Sequence, residues 1–156
     1  MGTCCSVEHE LAPATCPECG QPGRKVETIT LKALLRPEAL ARLGGSEHRF
    51  CPTSHCAIVY FGREQAFRRE DVPVGVFQKE QPGDRTVCYC FAETERGIRR
   101  EVEEKGRSTA AERITRLVAA GRCACELRNP QGSCCLGNVM LAIRDAMAAV
   151  EMLSRG

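Results

Sequence analysis

Hydrophobic and polar residues alternate along much of the first half of the chain, a pattern typical of β-strands. Residues 25–30 and 72–77 alternate, and residues 57–61 form a short run of β-branched and aromatic side chains. Residues 37–43 begin with proline and are followed by Gly44 and Gly45, which predicts a short helix. This half therefore predicts a small α+β unit.

The second half has a helical period instead. Residues 94–105 place Ile98 and Val102 four positions apart, and a second helix is predicted from residue 108 or 109 to residue 121. A third helix is predicted from residue 135 or 136 to about residue 154. Helical spacing explains its apolar stripe as core packing rather than as a methionine metal site. The stripe consists of Val139, Met140, Ile143, Met147, Val150 and Leu153.

A polar stretch with a Pro82-Gly83 turn separates the two halves at residues 79–86. We therefore predict a flexible N-terminal tail at residues 1–13, a small α+β subdomain at residues 14–80 and an all-α helical subdomain at residues 86–156. The predicted fold class is α+β. Each half has few large apolar residues, because the chain contains no tryptophan and only 4% aromatic residues. Small cores of this kind often depend on bound metal.

Cysteine decides the chemistry of this chain, since twelve of the 156 residues are cysteines and each has another within five positions. The N-terminus has neither the basic nor the apolar region of a secretion signal, so we expect a cytoplasmic protein with reduced thiols. Adjacent and Cys-x-Cys pairs also fit poorly to an unstrained disulfide. Metal ligation is therefore favoured. The pairs are Cys4-Cys5, Cys16-x2-Cys19, Cys51-x4-Cys56, Cys88-x-Cys90, Cys123-x-Cys125 and Cys134-Cys135.

Charge and motif content argue against several other classes of protein. The net charge is only +2, with basic residues interleaved with glutamates, which argues against nucleic-acid binding. No apolar run approaches the about 18 residues of a membrane span. The sequence contains no Gly-rich phosphate loop or Ser/His/Asp set, and only three histidines, so we expect no enzymatic activity.

The first four clustered cysteines predict a structural zinc site. Between Cys19 and Cys51 lie 31 residues, and both cysteine pairs lie beside predicted strands, as in a zinc ribbon or treble clef. Four thiolates complete the tetrahedron of Zn2+ and leave no open position. His55 is adjacent to Cys56, and we expect it at the surface rather than among the ligands.

The remaining pairs predict a second metal site near the helix starts. Cys88-x-Cys90 precedes a helix, and Cys123-x-Cys125 and Cys134-Cys135 flank the loop that leads into the last helix. A [2Fe–2S] cluster, whose irons each take two cysteines, suits this arrangement. Spacing alone leaves a second Cys4 zinc site equally open.

These motifs together resemble the N-terminal half of CopZ-type copper chaperones, which carry zinc and a [2Fe–2S] cluster. The residues concerned are Cys16-Pro-x-Cys19, Phe50-Cys51-x4-Cys56-x2-Val59-Tyr60-Phe61, Lys79-Glu80, Val87-Cys88-Tyr89-Cys90 and Cys125-x3-Asn129-Pro130-x-Gly132-x-Cys134-Cys135. The second half also resembles, more loosely, bacterioferritin-associated ferredoxin.

The resemblance implies zinc at Cys16, Cys19, Cys51 and Cys56, and the cluster at Cys88, Cys90, Cys125 and Cys135. Cys125 stands four residues before Asn129-Pro130, as the third ligand of the family does. The spacing of bacterioferritin-associated ferredoxin would instead favour Cys123. The heavy-metal domain that follows in full-length chaperones of this type does not appear before Gly156. Cys4, Cys5, Cys123 and Cys134 remain as thiols for a soft metal such as Cu+, or as spectators.

Two functions follow as expectations. The first is an iron–sulfur- and zinc-binding metallochaperone-like protein, whose cluster is a one-electron redox centre and whose spare thiols handle a soft metal such as Cu+. The alternative is a ferredoxin-like electron carrier or cluster reservoir for a reductase, with structural zinc. The expected partners are a soft metal ion and a copper-transporting ATPase, a metal-binding domain or a redox partner protein. Because the halves are predicted as separate units, Cys51→Ser should melt the first and leave the cluster spectrum largely intact.

Overall fold

The computed structural model of the chain describes residues 11–156, and the Cys4-Cys5 pair lies outside this range. The first half combines a four-stranded sheet with short helices, and a 3₁₀ turn at Arg69–Asp71 follows the last strand. These elements are β1 (Arg24–Val26), α1 (Thr28–Leu34), α2 (Pro37–Leu40), β2 (His48–Phe50), β3 (Ile58–Phe61) and β4 (Ala66–Arg68).

The sheet of the first half is antiparallel, with strand order β1-β2-β3-β4. Phe50 of β2 is in register with Arg24 of β1 on one side and with Tyr60 of β3 on the other. One face of the sheet packs on α1 and α2 and forms the core of this half. Leu31, Phe50, Tyr60 and Phe67 are completely buried there.

The second half is helical except for a two-stranded antiparallel sheet at its start. Val87, Ile98, Ile114 and Val139 are buried together in its core. These elements are β5 (Thr86–Cys88), β6 (Glu93–Thr94), α3 (Glu95–Lys105), α4 (Ala110–Ala119), α5 (Cys125–Arg128) and α6 (Leu136–Ser154). The predicted α+β class, with a small antiparallel sheet followed by a helical part, is confirmed.

Helix boundaries in the second half follow local stop and start residues. The Thr94 hydroxyl accepts a hydrogen bond from the Gly97 N–H and caps α3, which ends at Gly106 with a positive φ of 75°. The Ser108 hydroxyl accepts a hydrogen bond from the Ala110 N–H at the start of α4. Side-chain and left-handed caps therefore account for the boundaries of α3 and for the start of α4.

Three predictions about individual elements are wrong. Residues 25–30 leave the strand after Val26 and enter α1, whose buried residues Leu31 and Leu34 recur at helical spacing. Residues 72–77 form no strand, because Pro73 lacks a backbone donor. The stripe on α6 is narrower than predicted, since Met140 and Leu153 are mostly exposed whereas Val139, Ala142 and Ala146 are buried.

The halves are in contact through α1 of the first and α5 of the second. The boundary between subdomains at residues 80–86 stays a prediction. Among residues 11–156, no helix has the length and apolarity that crossing a membrane requires.

Candidate metal centres

Two turns at one end of the four-stranded sheet bring four cysteines together. The first turn precedes β1, where the Cys16 N–H donates to the Gln21 carbonyl and Gly20 adopts a positive φ of 72°. The second turn joins β2 to β3 and contains Cys51 and Cys56. Because β1 and β2 are paired, both turns lie at the same place.

The sulfurs of Cys16, Cys19, Cys51 and Cys56 all lie within 4.8 Å of one another. The Cys16 and Cys56 sulfurs are 3.8 Å apart, and those of Cys19 and Cys51 are 3.7 Å apart. A tetrahedral zinc with Zn–S bonds of about 2.3 Å needs sulfur–sulfur distances of about 3.8 Å. The arrangement is therefore a compact four-thiol metal site that is compatible with Zn2+. His55 is exposed and outside this group.

Burial and neighbouring groups shift the pKa values of Cys19, Cys51 and Cys56 in different directions. A hydrogen bond with the Thr53 hydroxyl, 3.4 Å away, lowers the pKa of the Cys19 thiol to about 6. Burial raises the pKa of Cys56 to about 12 and also raises that of Cys51. Metal binding must remove the protons from these buried thiols, so metal affinity depends on pH.

Lys79 is a buried cation that contacts the second of these turns. Only 3% of its surface is exposed. Its ammonium donates to the carbonyl oxygens of Thr53 at 2.8 Å and Cys56 at 3.1 Å. Burial lowers the pKa of Lys79, while the charges of the Cys51 and Cys56 thiolates oppose that shift.

The second set of cysteines forms two pairs. Cys88 ends β5 and lies close enough to Cys135, the residue just before α6, for the two thiols to shift each other's pKa. Cys90 lies 3.8 Å from Cys125, the first residue of α5, measured between their sulfurs. In the described part of the chain, no three sulfurs of this set are within 4.8 Å of one another. The set is therefore wider than the first site.

The pKa values of the paired cysteines are shifted in opposite directions. The hydrogen bond with Cys135 lowers the pKa of Cys88 to about 6, and the backbone N–H groups of Phe91 and Cys90 act in the same direction. The same hydrogen bond, together with burial, raises the pKa of Cys135. Burial raises the pKa of Cys125 to about 12. The Ala124 N–H donates to the Cys90 sulfur at 3.3 Å.

The two remaining thiols of this region are more accessible than the paired ones. Cys134 is exposed and Cys123 is half-buried, whereas Cys125 and Cys135 are buried. Both Cys123 and Cys134 are close enough to Cys125 for their charges to raise its pKa. They lie beside the paired cysteines rather than among them.

Comparisons with known proteins agree with the geometry of the first site. A CopZ family model, described as a zinc binding domain, matches residues 13–73, which include all four cysteines of the compact site. The copper chaperone CopZ of Archaeoglobus fulgidus is 31% identical over 121 residues. That match covers 77% of this chain and 57% of the relative, so the chain spans little more than half of the chaperone.

A solved structure extends this similarity into the second half. The X-ray structure of the Archaeoglobus fulgidus CopZ N-terminal domain superimposes with a TM-score of 0.64 at 30% identity. The alignment covers 78% of this chain and 91% of that domain. The chain therefore belongs to the family of the CopZ N-terminal domain and contains a CopZ-type zinc-binding domain at residues 13–73.

Proposed function

We propose that the chain is an iron–sulfur- and zinc-binding protein of the metallochaperone type. In this proposal a structural Zn2+ is bound by Cys16, Cys19, Cys51 and Cys56, and a [2Fe–2S] cluster by Cys88, Cys90, Cys125 and Cys135. The CopZ relationship supports metal handling as the function, because the Archaeoglobus fulgidus relative is a copper chaperone.

The observation that carries the cluster assignment is the division of the second set into two pairs. A single zinc would draw four sulfurs to within about 4 Å of one another. A [2Fe–2S] cluster instead takes two cysteines on each of two irons. The pairs Cys88/Cys135 and Cys90/Cys125 would then each bind one iron.

The surroundings of the two pairs suit a negatively charged centre. The backbone N–H groups of Phe91 and Cys90 lower the pKa of Cys88, and the Ala124 N–H donates to the Cys90 sulfur. Donors of this kind stabilise negative charge and tune the potential of a metal centre. When bound, the cluster would supply a one-electron redox centre.

Soft-metal handling would fall to the accessible thiols. Cys134 is exposed and Cys123 is half-buried, and thiolates prefer Cu+ to harder ions. Cys123 and Cys134 could therefore take up a soft ion without giving up the buried pairs.

Metal and sulfide analysis of protein purified without oxygen tests the proposal. We expect a brown protein with visible charge-transfer bands, about two irons and two sulfides, and about one zinc per chain. A colourless protein with two zinc ions after anaerobic cluster reconstitution would refute the cluster. A brown protein that binds no Cu+ would favour the electron-carrier alternative.

A matched pair of variants tests the ligand assignment. Cys125→Ser should bleach or strongly shift the visible bands, because it removes a buried partner of Cys90. Cys123→Ser, two residues away, should keep the bands and change at most the binding of a soft metal. The opposite result would show that Cys123 is the ligand.

A further inference from the structure

One short segment contacts three of the four parts of the chain that bear proposed metal ligands, namely the turn with Cys51 and Cys56, residues 88–90 and the loop before Cys135. We call residues 75–79 the bridge segment. Its residues lie between the β-sheet half and the helical half, and the side chains of Gln78 and Lys79 point to different neighbours.

Lys79 holds the second zinc turn from inside the protein. Its ammonium donates to the carbonyl oxygens of Thr53 and Cys56, which both belong to the turn between β2 and β3. Lys79 takes part in no ion pair with a carboxylate among the residues described. A buried ammonium without a carboxylate is costly unless another anion is near. Zn2+ with four thiolates carries a net charge of −2, which supplies that anion.

Gln78, the preceding residue, holds the loop that joins the last cluster ligands. Its side-chain N–H donates to the side-chain amide oxygen of Gln131 at 2.5 Å. Gln131 is itself buried and donates to the carbonyl oxygen of Cys134 at 2.9 Å. The position of Gln78 is thereby connected to the backbone beside Cys135.

Residues 88–90 are attached to the same bridge segment through Tyr89, which lies between Cys88 and Cys90. The Tyr89 hydroxyl donates to the Gly75 carbonyl at 2.6 Å and accepts from the Phe77 N–H at 3.0 Å. Cys88-Tyr89-Cys90 and the loop before Cys135 therefore share one support. That support includes the lysine beside the zinc site.

We propose that Lys79 and Gln78 are positioning residues that couple the two metal centres, so that loss of zinc shortens the lifetime of the cluster. Lys79 and Gln78 are adjacent, and consecutive Cα atoms are fixed about 3.8 Å apart, so a backbone movement at Lys79 displaces Gln78 as well. Displacing Gln78 breaks its hydrogen bond to Gln131 and loosens the loop before Cys135. The coupling rests on the proposed zinc and cluster assignments.

Two rates measured on the same anaerobically purified full-length protein test the coupling. One is transfer of zinc to a coloured chelator, and the other is decay of the visible bands in excess iron chelator. Lys79→Met should accelerate zinc transfer by about tenfold or more, as loss of a group that supports metal ligands does elsewhere. It should also accelerate cluster decay severalfold. Gln78→Ala should accelerate cluster decay and leave zinc transfer nearly unchanged.

Two further variants separate coupling from a general loss of stability. Lys79→Arg keeps the positive charge, so zinc transfer and cluster decay should both return close to the wild-type rates. If Lys79→Met caused only a packing defect, restoring the charge would not slow these rates. Lys105→Met removes a mostly exposed lysine from α3 and should change neither rate. If Lys79→Met does not fold, Lys79→Arg and Gln78→Ala still give the comparison.

The results separate the proposed coupling from the proposed zinc and cluster sites. Faster zinc transfer with unchanged cluster decay in Lys79→Met overturns the coupling and leaves both metal sites in place. Unchanged rates in Lys79→Met and Gln78→Ala overturn the positioning roles. A wild-type protein that holds no iron after reconstitution overturns the cluster assignment, and the coupling falls with it.

Discussion

Gly132 gives the sharpest test of how tightly the loop between Cys125 and Cys135 is fitted to the zinc-binding half. This glycine has a positive φ of 70°, and a Cβ atom there would lie 2.6 Å from the Val26 Cγ2 atom. It would also lie 3.2 Å from the Thr30 hydroxyl oxygen. Val26 ends β1 and Thr30 belongs to α1, so Gly132→Ala presses the loop before Cys135 against the first half.

Two costs add up in this variant. An L-residue in the left-handed region costs about 1–2 kcal/mol, and forcing an extra methyl into a packed contact costs about 1–3 kcal/mol. We therefore expect Gly132→Ala to lower the free energy of unfolding by about 2–5 kcal/mol. Gly121 provides a matched control, because its φ is 69° and a Cβ there would have no heavy atom within 4 Å. Gly121→Ala should carry the backbone cost alone.

The difference between the two variants isolates the packing of the loop, because the effect of alanine on the unfolded chain is common to both. The assay is thermal unfolding of the metal-loaded proteins at one pH, followed by far-UV circular dichroism. For a chain of this size each 1 kcal/mol lowers the midpoint by roughly 2–4 °C. Gly132→Ala should melt below Gly121→Ala and lose its visible bands sooner. Equal midpoints would refute the close packing of Gly132 on Val26.

Two further predictions concern one residue in each half. Cys51→Ser should abolish zinc binding and also shorten the lifetime of the visible bands, which zinc analysis and absorption spectroscopy would measure; persistence of the bands at the wild-type rate would contradict this. Burial raises the pKa of Glu101, but hydrogen bonds from Ser108, Arg113 and Thr109 outweigh it and lower the pKa to about 2. Its stabilising contribution is therefore complete above about pH 4.3 and is lost as the pH falls toward 2. Glu101→Gln should cost about 1–2 kcal/mol in urea unfolding at pH 7 and progressively less below pH 4. A constant difference at all pH values would contradict the assignment.

The sequence predicts the helices of the second half well because their boundaries depend on neighbouring residues. Thr94 caps α3, and Gly106 and Gly121 adopt the positive φ that ends a helix. Strands β2 and β4 are only three residues long, and their pairing depends on segments far along the chain. No local pattern marks such strands, and the alternation of residues 72–77 predicts one that does not form.

For the metal sites, too, some features can be predicted from neighbouring residues and others depend on segments far apart in the sequence. The spacing of the cysteines predicts which of them lie in turns, and the compact set at one end of the sheet agrees with that prediction. The partner of each cysteine in the second set depends on how α5 and α6 approach β5, and spacing alone leaves it open. The burial of Lys79 was not predictable, because a lysine in a polar stretch ordinarily lies in solvent.

The contacts between the halves change the effect that loss of zinc should have on the second half. The sequence, taken as two separate units, predicts that the cluster survives when Cys51 is replaced. The Tyr60 hydroxyl, four residues beyond Cys56, donates to the Pro130 carbonyl at 2.6 Å inside the loop before Cys135. Tyr60 is completely buried, and the Pro130 oxygen would lose this bond if β3 unfolded. Unfolding around the four-cysteine site therefore releases the loop before Cys135.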